Sequence, residues 1–210
     1  MKQFVFGILL LTAMSASAQT WRPIFDGKSL EGWEHVGPGQ IVLENGMLKT
    51  EGGMGLLWYT REKFGNCVLR VVYKTEKEDS NSGVFVRIAD KPPDAWYGVN
   101  HGYEIQIEDK EDEYHRTGVI YSMVTAKTGA SKGPGEWNIM DITLKGHQIF
   151  VSLNGTEITR FDSTDPNIPP KKKSFEPDRG PRPESGYMGL QNHGQNDVVW
   201  FKEVSVRALK

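Results

Sequence analysis

The chain has 210 residues, of which 38% are hydrophobic and 25% charged, a composition that indicates one folded globular domain and excludes an intrinsically disordered chain. Lys and Arg number 25 and Asp and Glu number 27, so the net charge of −2 provides no basic field to attract nucleic acid as a partner. A single cysteine, Cys67, excludes both an intramolecular disulfide and a cysteine-based zinc site.

The first 18 residues have the three regions of a secretory signal peptide. Lys2 supplies the positive charge, residues 4–12 form a short apolar run, and Ala16-Ser17-Ala18 has the small residues after which signal peptidases cleave. The apolar run is too short to span a bilayer. We therefore predict a signal peptide over residues 1–18, one mature domain over residues 19–210, no membrane anchor, and a periplasmic or secreted location.

The mature chain is predicted to be all-β, with no convincing helix, because apolar and polar residues alternate with a period of two. The alternating segments are, in chain order, 66–76, 82–88, 103–109, 137–145, 148–153, 156–161, 187–193 and 198–209. Asn154-Gly155 between two of these segments predicts a type I′ hairpin turn. Many short strands joined by turns favour a sandwich or jelly roll of two antiparallel sheets.

The segment 163–186 interrupts this series of strands. It contains six of the 11 prolines and the run Lys171-Lys172-Lys173. Loops of this length are uncommon inside a compact domain, so we expect the segment to be either functional or disordered.

A row of polar side chains follows one face of the predicted strand over residues 103–109. Glu104, Gln106 and Glu108 alternate there with apolar residues. A row of hydrogen-bonding groups on a sheet suits a hydroxyl-rich ligand such as a sugar, although an ordinary solvent-facing strand has the same pattern.

Two further segments place chemically useful groups on one face of a strand. Gly83 and Arg87 share a face, so a ligand has room there beside a fixed cation, unless Arg87 is simply exposed. Gln191 and His193 share a face at the end of another strand, where a histidine serves as a base or a metal ligand, or is structural.

Other aromatic and histidine residues are weaker candidates. Trp96 lies in a predicted loop and suits stacking on a sugar ring as well as it suits packing in a small satellite core. His101 and His115 flank the 103–109 strand and, with its acidic residues, form a second option for a metal site. His115 lies in a charged segment that indicates a solvated loop.

Short motifs occur in a characteristic order along the mature chain. They are FDGKSLEGW at 25–33, NSGVFVR at 81–87, GYEIQI at 102–107, GVIY at 118–121, WN at 137–138, NG at 154–155, GLQNHG at 189–194 and FKEV at 201–204. Together they resemble the 3-keto-disaccharide hydrolase family. The resemblance implies a concanavalin A-like jelly roll, an exported protein, and action on glycosides that are oxidised to a ketone at sugar carbon 3.

Such a substrate requires particular chemistry. A ketone at C3 acidifies the hydrogen on C2, so a base can form an enolate, and the glycosidic oxygen then leaves C1 by elimination, with or without later addition of water. The site needs a base, an acid for the leaving group, and a cation near the enolate oxygen. We assign Glu104 and His193 as acid and base in either order, and Arg87 as the cation. The sugar-binding residues are predicted to be Asn81, Trp96, Gln106, Tyr121 and Gln191.

Three alternatives stay open from the sequence. Glu104 and His193 are also suited to bind a divalent metal ion that polarises the ketone. The Glu104-Ile-Gln106-Ile-Glu108 strand is similar to that of family 16 retaining glucanases, although Gln106 replaces their central acid. A carbohydrate-binding module without catalysis is compatible with the same fold. The sequence determines neither the particular keto-sugar nor the oligomeric state.

Overall fold

The strands predicted from the alternation are present, and five shorter strands precede them. The structure is a computed structural model that describes residues 20–127 and 129–209, so the predicted signal peptide lies outside the described residues. The strands are β1 (Arg22–Phe25), β2 (Trp33–Val36), β3 (Gln40–Glu44), β4 (Met47–Glu51), β5 (Gly55–Tyr59), β6 (Cys67–Thr75), β7 (Ser82–Ile88), β8 (Tyr103–Ile107), β9 (Asn138–Lys145), β10 (Gln148–Leu153), β11 (Thr156–Asp162), β12 (Tyr187–Asn192) and β13 (Val199–Ala208).

These strands form two antiparallel sheets in the described part of the chain. The larger sheet has the order β11-β10-β9-β6-β13-β4-β3, with β1 paired to β13, and the smaller sheet has the order β2-β5-β12-β7-β8. The prediction of an all-β sandwich of two antiparallel sheets is therefore confirmed. No helix in residues 20–127 and 129–209 is long and apolar enough to cross a membrane.

The main hydrophobic core lies between the two sheets. Leu69 and Ile142 of the larger sheet, and Val84, Ile105 and Leu190 of the smaller one, are all completely buried there. Alternation places the intervening side chains of each strand on the opposite face. For β8 and β12, those side chains include Glu104, Gln106 and Gln191.

The smaller sheet is buried on its second face as well. A second apolar cluster, which contains Trp58, Phe85 and Val99, covers part of that face. Val99 belongs to a short helix, α1 (Tyr97–His101), so the expectation that the chain has no helix was wrong. Every residue of β8 is buried, and the polar residues of that strand consequently face the protein interior instead of bulk solvent.

The free edge of β8 is covered by the segment that follows it. The Tyr121 N–H donates to the Glu104 carbonyl at 2.9 Å, and the Gly118 N–H donates to the Gln106 carbonyl at 2.9 Å. These bonds satisfy backbone groups that an edge strand would otherwise expose. They also bring Tyr121 next to Glu104.

The hairpin between β10 and β11 forms as the sequence predicts. Asn154 and Gly155 both adopt positive φ, 51° and 84°, as a type I′ turn requires. The Asn154 side chain also accepts a hydrogen bond from the Ile139 N–H at 2.9 Å, which ties the turn to β9. A local motif therefore determines the turn, and an irregularity between Val151 and Ser152 shifts the register farther along the hairpin.

Candidate active site

A cavity of about 280 Å³ lies on the face of the smaller sheet that points away from the main core. Strands β8 and β12 provide its floor, and residues next to β5, β7 and α1 complete its walls. Its lining consists of Met54, Asn81, Trp96, Val99, Glu104, Gln106, Tyr121, Phe175, Gln191 and His193. All of the site residues predicted from the sequence except Arg87 are brought together here.

Three buried oxygen atoms in this cavity lack hydrogen-bond partners in the described structure. They are Oε1 of Glu104, Oε1 of Gln106 and Oε1 of Gln191, on side chains that are almost completely buried. Buried polar atoms are normally paired, since leaving one unpaired costs free energy. The three atoms are therefore suited to accept hydrogen bonds from a ligand that carries several hydroxyl groups.

Glu104 differs chemically from an ordinary surface carboxylate. Burial raises its pKa to about 8, and a hydrogen bond from Gln191 only partly opposes this effect. Among the described residues that line the cavity, Glu104 is the only carboxylic acid. At neutral pH it is therefore mostly protonated and able to donate a proton.

Gly83 provides the space in which the Glu104 carboxyl group lies. A Cβ atom at position 83 would lie 2.4 Å from Glu104 Oε1, which reaches over Gly83 diagonally, because Gly83 itself pairs with Gln106 across β7 and β8. From the sequence, Gly83 was predicted to make room for a ligand beside a cation. The space is instead filled by the side chain of Glu104.

His193 is oriented by a carboxylate that sequence analysis did not identify. Its Nδ1 lies 2.9 Å from Asp197 Oδ2, while the other oxygen of Asp197 accepts the Asn81 N–H at 3.2 Å. Since Nδ1 donates to the carboxylate, Nε2 keeps a free lone pair and is available as a base. Gly194 allows this turn, because a Cβ there would lie 2.4 Å from Asp197 Oδ2. The short spacing between His193-Gly194 and Asp197 was the signal in the sequence that could have identified Asp197 as the partner of His193.

The neutral polar groups of the cavity are also held in place. Gln106 Nε2 donates to Asn81 Oδ1 at 3.3 Å. Burial raises the pKa of Tyr121, so its phenol stays protonated and is able to donate a hydrogen bond. These contacts leave the Gln106 and Gln191 oxygens facing the cavity.

Two aromatic side chains form the rim of the cavity. Trp96 is 51% exposed and Phe175 is 52% exposed, although both line the cavity. Trp96 was predicted from the sequence as a sugar-binding residue. Phe175, which belongs to the 163–186 loop, was not. The unusual length and proline content of that loop were the only signals in the sequence for this contribution.

Arg87 lies outside the cavity and does not fit the role of an enolate-binding cation. Its guanidinium donates to the carbonyls of Gly146 and Pro183, and its backbone adopts a positive φ of 56°. The pairing of β7 with β12 shifts register at this point. The prediction assumed regular alternation along β7, and the left-handed residue ends that alternation.

Glu108 also lies outside the cavity lining, which bears on the retaining-glucanase alternative. Its carboxylate accepts the Lys110 N–H at 2.7 Å in the turn that follows β8. A retaining glycosidase requires two carboxyl groups about 5–5.5 Å apart at the scissile bond. Glu104 has no such partner among the described lining residues.

The residues assigned to a metal were Glu104 and His193. Both line the cavity, but residues 20–127 and 129–209 contain no group of three or more His, Cys, Asp or Glu side chains arranged to hold a metal ion. Of the His, Cys, Asp and Glu side chains that most often hold metal ions, the described lining therefore offers two, Glu104 and His193. We derive no catalytic step from a metal.

Comparison with known proteins identifies a family and related structures. Residues 20–207 match the model of the 3-keto-alpha-glucoside-1,2-lyase-like domain. A 3-keto-disaccharide hydrolase of Bacteroides thetaiotaomicron is 24% identical, with 93% of this chain and 81% of the relative aligned. A candidate glycosyl hydrolase from Parabacteroides distasonis superimposes with a TM-score of 0.72 at 28% identity, covering 90% of this chain and all of that one.

A more distant structure supports the fold alone. A Bacillus subtilis protein with a galectin-like fold superimposes with a TM-score of 0.63 at 13% identity, over 90% of this chain and 94% of that one. The predicted concanavalin A-like jelly roll is therefore confirmed at the level of architecture. The family match covers nearly all described residues, and the chain belongs to the 3-keto-disaccharide hydrolase family, whose model is the 3-keto-alpha-glucoside-1,2-lyase-like domain.

Proposed function

We propose that this protein cleaves the glycosidic bond of 3-keto-disaccharides or 3-keto-glucosides by removing the C2 proton and eliminating the C1 oxygen. One observation carries the proposal: a protonated carboxylic acid, a histidine paired with a carboxylate, and the unpartnered side-chain oxygens of two glutamines share one cavity. The family match and the names of the relatives support the same class of substrate.

Two titratable groups of the cavity, Glu104 and His193, suit opposite roles. His193 Nε2 takes the proton from C2, and the electron pair of the C–H bond forms an enolate with the C3 ketone. As the enolate collapses, a C1–C2 double bond forms, the C3 ketone is restored, and the bond from C1 to the glycosidic oxygen breaks. Glu104 donates its proton to the departing oxygen. Addition of water to C1 afterwards gives net hydrolysis.

The cavity size suits a single sugar ring inside the protein. Its volume of about 280 Å³ is at the small end of ligand pockets, which hold about 300–1,000 Å³. The remainder of a disaccharide then extends to the rim, where Trp96 and Phe175 present apolar ring faces. Such faces pack well against the C–H surface of a sugar ring.

A carbohydrate-binding module without catalysis is the second candidate. It is favoured by the apolar rim and the hydrogen-bonding floor, which suffice for binding alone. It does not account for the buried acid at Glu104, because an acid kept neutral by burial is not needed to bind a hydroxyl group.

The deciding experiment compares a 3-keto-glucoside with its unoxidised parent in D₂O, with products identified by NMR. Cleavage of the keto-sugar alone, with exchange or loss of hydrogen at C2, would support elimination. Cleavage of the parent would favour an ordinary glycosidase instead. Saturable binding without turnover of either compound would favour the binding module.

The same assay tests the predicted metal. Activity that a chelator abolishes and a divalent ion restores would support metal assistance at Glu104 and His193. Full activity in chelator would remove the metal from the mechanism. Detection of the mature protein in the periplasm or the medium would test the predicted export.

A further inference from the structure

A buried pair, His115 and Glu176, lies behind Tyr121 and outside the cavity lining, with the exposed Asp112 on its outer side. His115 Nδ1 is 2.7 Å from Asp112 Oδ1, and His115 Nε2 is 3.7 Å from Glu176 Oε1. The side chains of His115 and Glu176 are only 8% and 1% exposed. The expectation that His115 belongs to a solvated loop was therefore wrong, because the 163–186 loop packs Glu176 against it.

Glu176 fastens its loop to the body of the protein. Its Oε2 accepts hydrogen bonds from the Lys172 N–H at 2.9 Å and from the Arg179 guanidinium at 3.2 Å. Burial alone would raise the pKa of Glu176, but these donors bring it below its usual value, so the group is ionised at neutral pH. Arg179 also donates to the Ser122 carbonyl at 3.0 Å. The loop is thereby tied to the residue that follows Tyr121.

His115 connects two walls of the cavity. Its ring packs edge-on against the Tyr121 ring, with 4.9 Å between the ring centroids. Its Nε2 faces Glu176, whose chain neighbour Phe175 forms part of the rim. Nε2 of His115 and Oε1 of Glu176 are both buried, and neither has a hydrogen-bond partner among the described residues. The two atoms lie 3.7 Å apart and carry opposite polarity when the histidine ring nitrogen bears a proton.

We propose that His115 is a positioning residue that, through its pair with Glu176, sets the separation of Tyr121 and Phe175 and so the affinity for the sugar bound between them. This inference rests on the proposed function. Neither Tyr121 nor Phe175 is the proposed acid or base, so we expect both walls to contact the substrate alike in the ground state and the transition state. Loss of His115 should therefore raise KM and leave kcat almost unchanged.

The test is a double-mutant cycle between His115→Ala and Phe175→Ala, assayed on a 3-keto-disaccharide. We expect His115→Ala to raise KM about 10-fold with kcat within about 2-fold of the parent, and to have little further effect once Phe175 is removed. His115→Gln, which keeps a hydrogen-bonding group facing Glu176, should recover part of the affinity. His147→Ala is the matched control, since His147 is exposed, pairs with Glu184 and lies outside the cavity lining.

Two kinetic results would overturn the proposal. Independent, multiplicative effects of the two substitutions on KM would show that His115 does not act through the Phe175 wall. A fall in kcat with KM unchanged would place His115 in the chemistry. If His115→Ala does not fold, the same cycle is carried out with His115→Gln.

Hydrogen exchange of the free protein separates this inference from the proposed function, because it needs no substrate. Faster exchange of the Lys172 amide in His115→Ala, with the His147→Ala control unchanged, would support the anchoring of the loop. That result would stand even if no keto-glycoside were turned over, in which case the proposed function alone would fail. Unchanged exchange at Lys172 would overturn the inference.

Discussion

At the scale of single residues, the chemistry of the site depends on what surrounds two titratable side chains. Glu104 is an ordinary glutamate in sequence, but burial beside Gln106 and Gln191 keeps it protonated near neutral pH. His193 is half-exposed, and Asp197 orients its ring. Different environments thus suit the two groups to the complementary roles of acid and base in the proposed reaction.

Glu104→Gln tests the role of the acid. We expect kcat to fall by about 10²-fold or more, because glutamine fills the same space but has no proton to transfer. In the parent protein, activity should fall as the pH rises through about 8, where Glu104 loses its proton, and this limb should be absent from the variant. Activity that rises through the same pH would make Glu104 the base instead. The measurement is kcat from pH 5 to 10.

His193→Ala and Asp197→Asn test the base and its orientation. His193→Ala should lower kcat by about 10²-fold or more, on the scale of acid–base assistance. Asp197→Asn should reduce kcat by a smaller factor, because the imidazole remains but its Nδ1 loses the carboxylate that orients it. Steady-state kinetics on a 3-keto-glucoside is the measurement. An unchanged kcat in His193→Ala would exclude His193 from the reaction.

At the scale of secondary-structure elements, three adjacent strands bring distant parts of the chain to one place. The order β12-β7-β8 puts Gly83 on the strand between those that carry Gln191 and Glu104, although β12 is separated from the other two strands in sequence. The absence of a side chain on the middle strand is what allows the Glu104 carboxyl to lie across it. The geometry of the acid therefore depends on β7 as well as on β8.

Gly83→Ala should disrupt the acid while the fold is kept. The new Cβ would lie 2.4 Å from Glu104 Oε1, so the carboxyl must move, and misplacement of a catalytic group by about 1 Å can cost about 10²-fold in rate. Gly133→Ala is the matched control, because a Cβ there meets nothing within 4 Å. We expect a loss of kcat for the first variant only, with both proteins folded by circular dichroism. Full activity of Gly83→Ala would contradict this geometry.

At the scale of the whole molecule, the smaller sheet is buried on both faces, and this arrangement has a thermodynamic consequence. One face forms the core, and α1 and the 163–186 loop contribute residues to the cavity on the other. The fold thereby holds an ionisable group in a site that favours its neutral form. Stability must then depend on pH through that group.

The sign of this dependence follows from the raised pKa of Glu104. Between its usual value of 4.5 and about 8, the folded state binds a proton that the unfolded state has released. The stabilising contribution of this proton is complete below pH 4.5 and is lost as the pH rises through 8. Urea unfolding of the parent and of Glu104→Gln from pH 5 to 9 measures it. The free energy of unfolding of the parent minus that of Glu104→Gln should decrease as the pH rises. A difference that does not change with pH would contradict the raised pKa.

Much of the architecture follows from local patterns in the sequence. Alternation at 82–88 and 148–153 predicts β7 and β10 with their observed boundaries, because a strand places successive side chains on opposite faces wherever it lies. Asn154-Gly155 predicts its turn because both residues tolerate positive φ. The polar residues of β8 and β12 were identified as binding candidates for the same local reason, and family motifs supplied the substrate class.

The sequence by itself thus determined the strands β6 to β13, the main hairpin and most residues of the candidate site. Only the tertiary structure decided that Glu104 is buried, that Arg87 turns away, and that the loop carrying Phe175 packs on His115. The physical reason is the range of the interactions involved. Alternation and turn preference act between neighbours in the chain, whereas burial, a shifted pKa and the docking of a loop depend on residues brought together from distant segments.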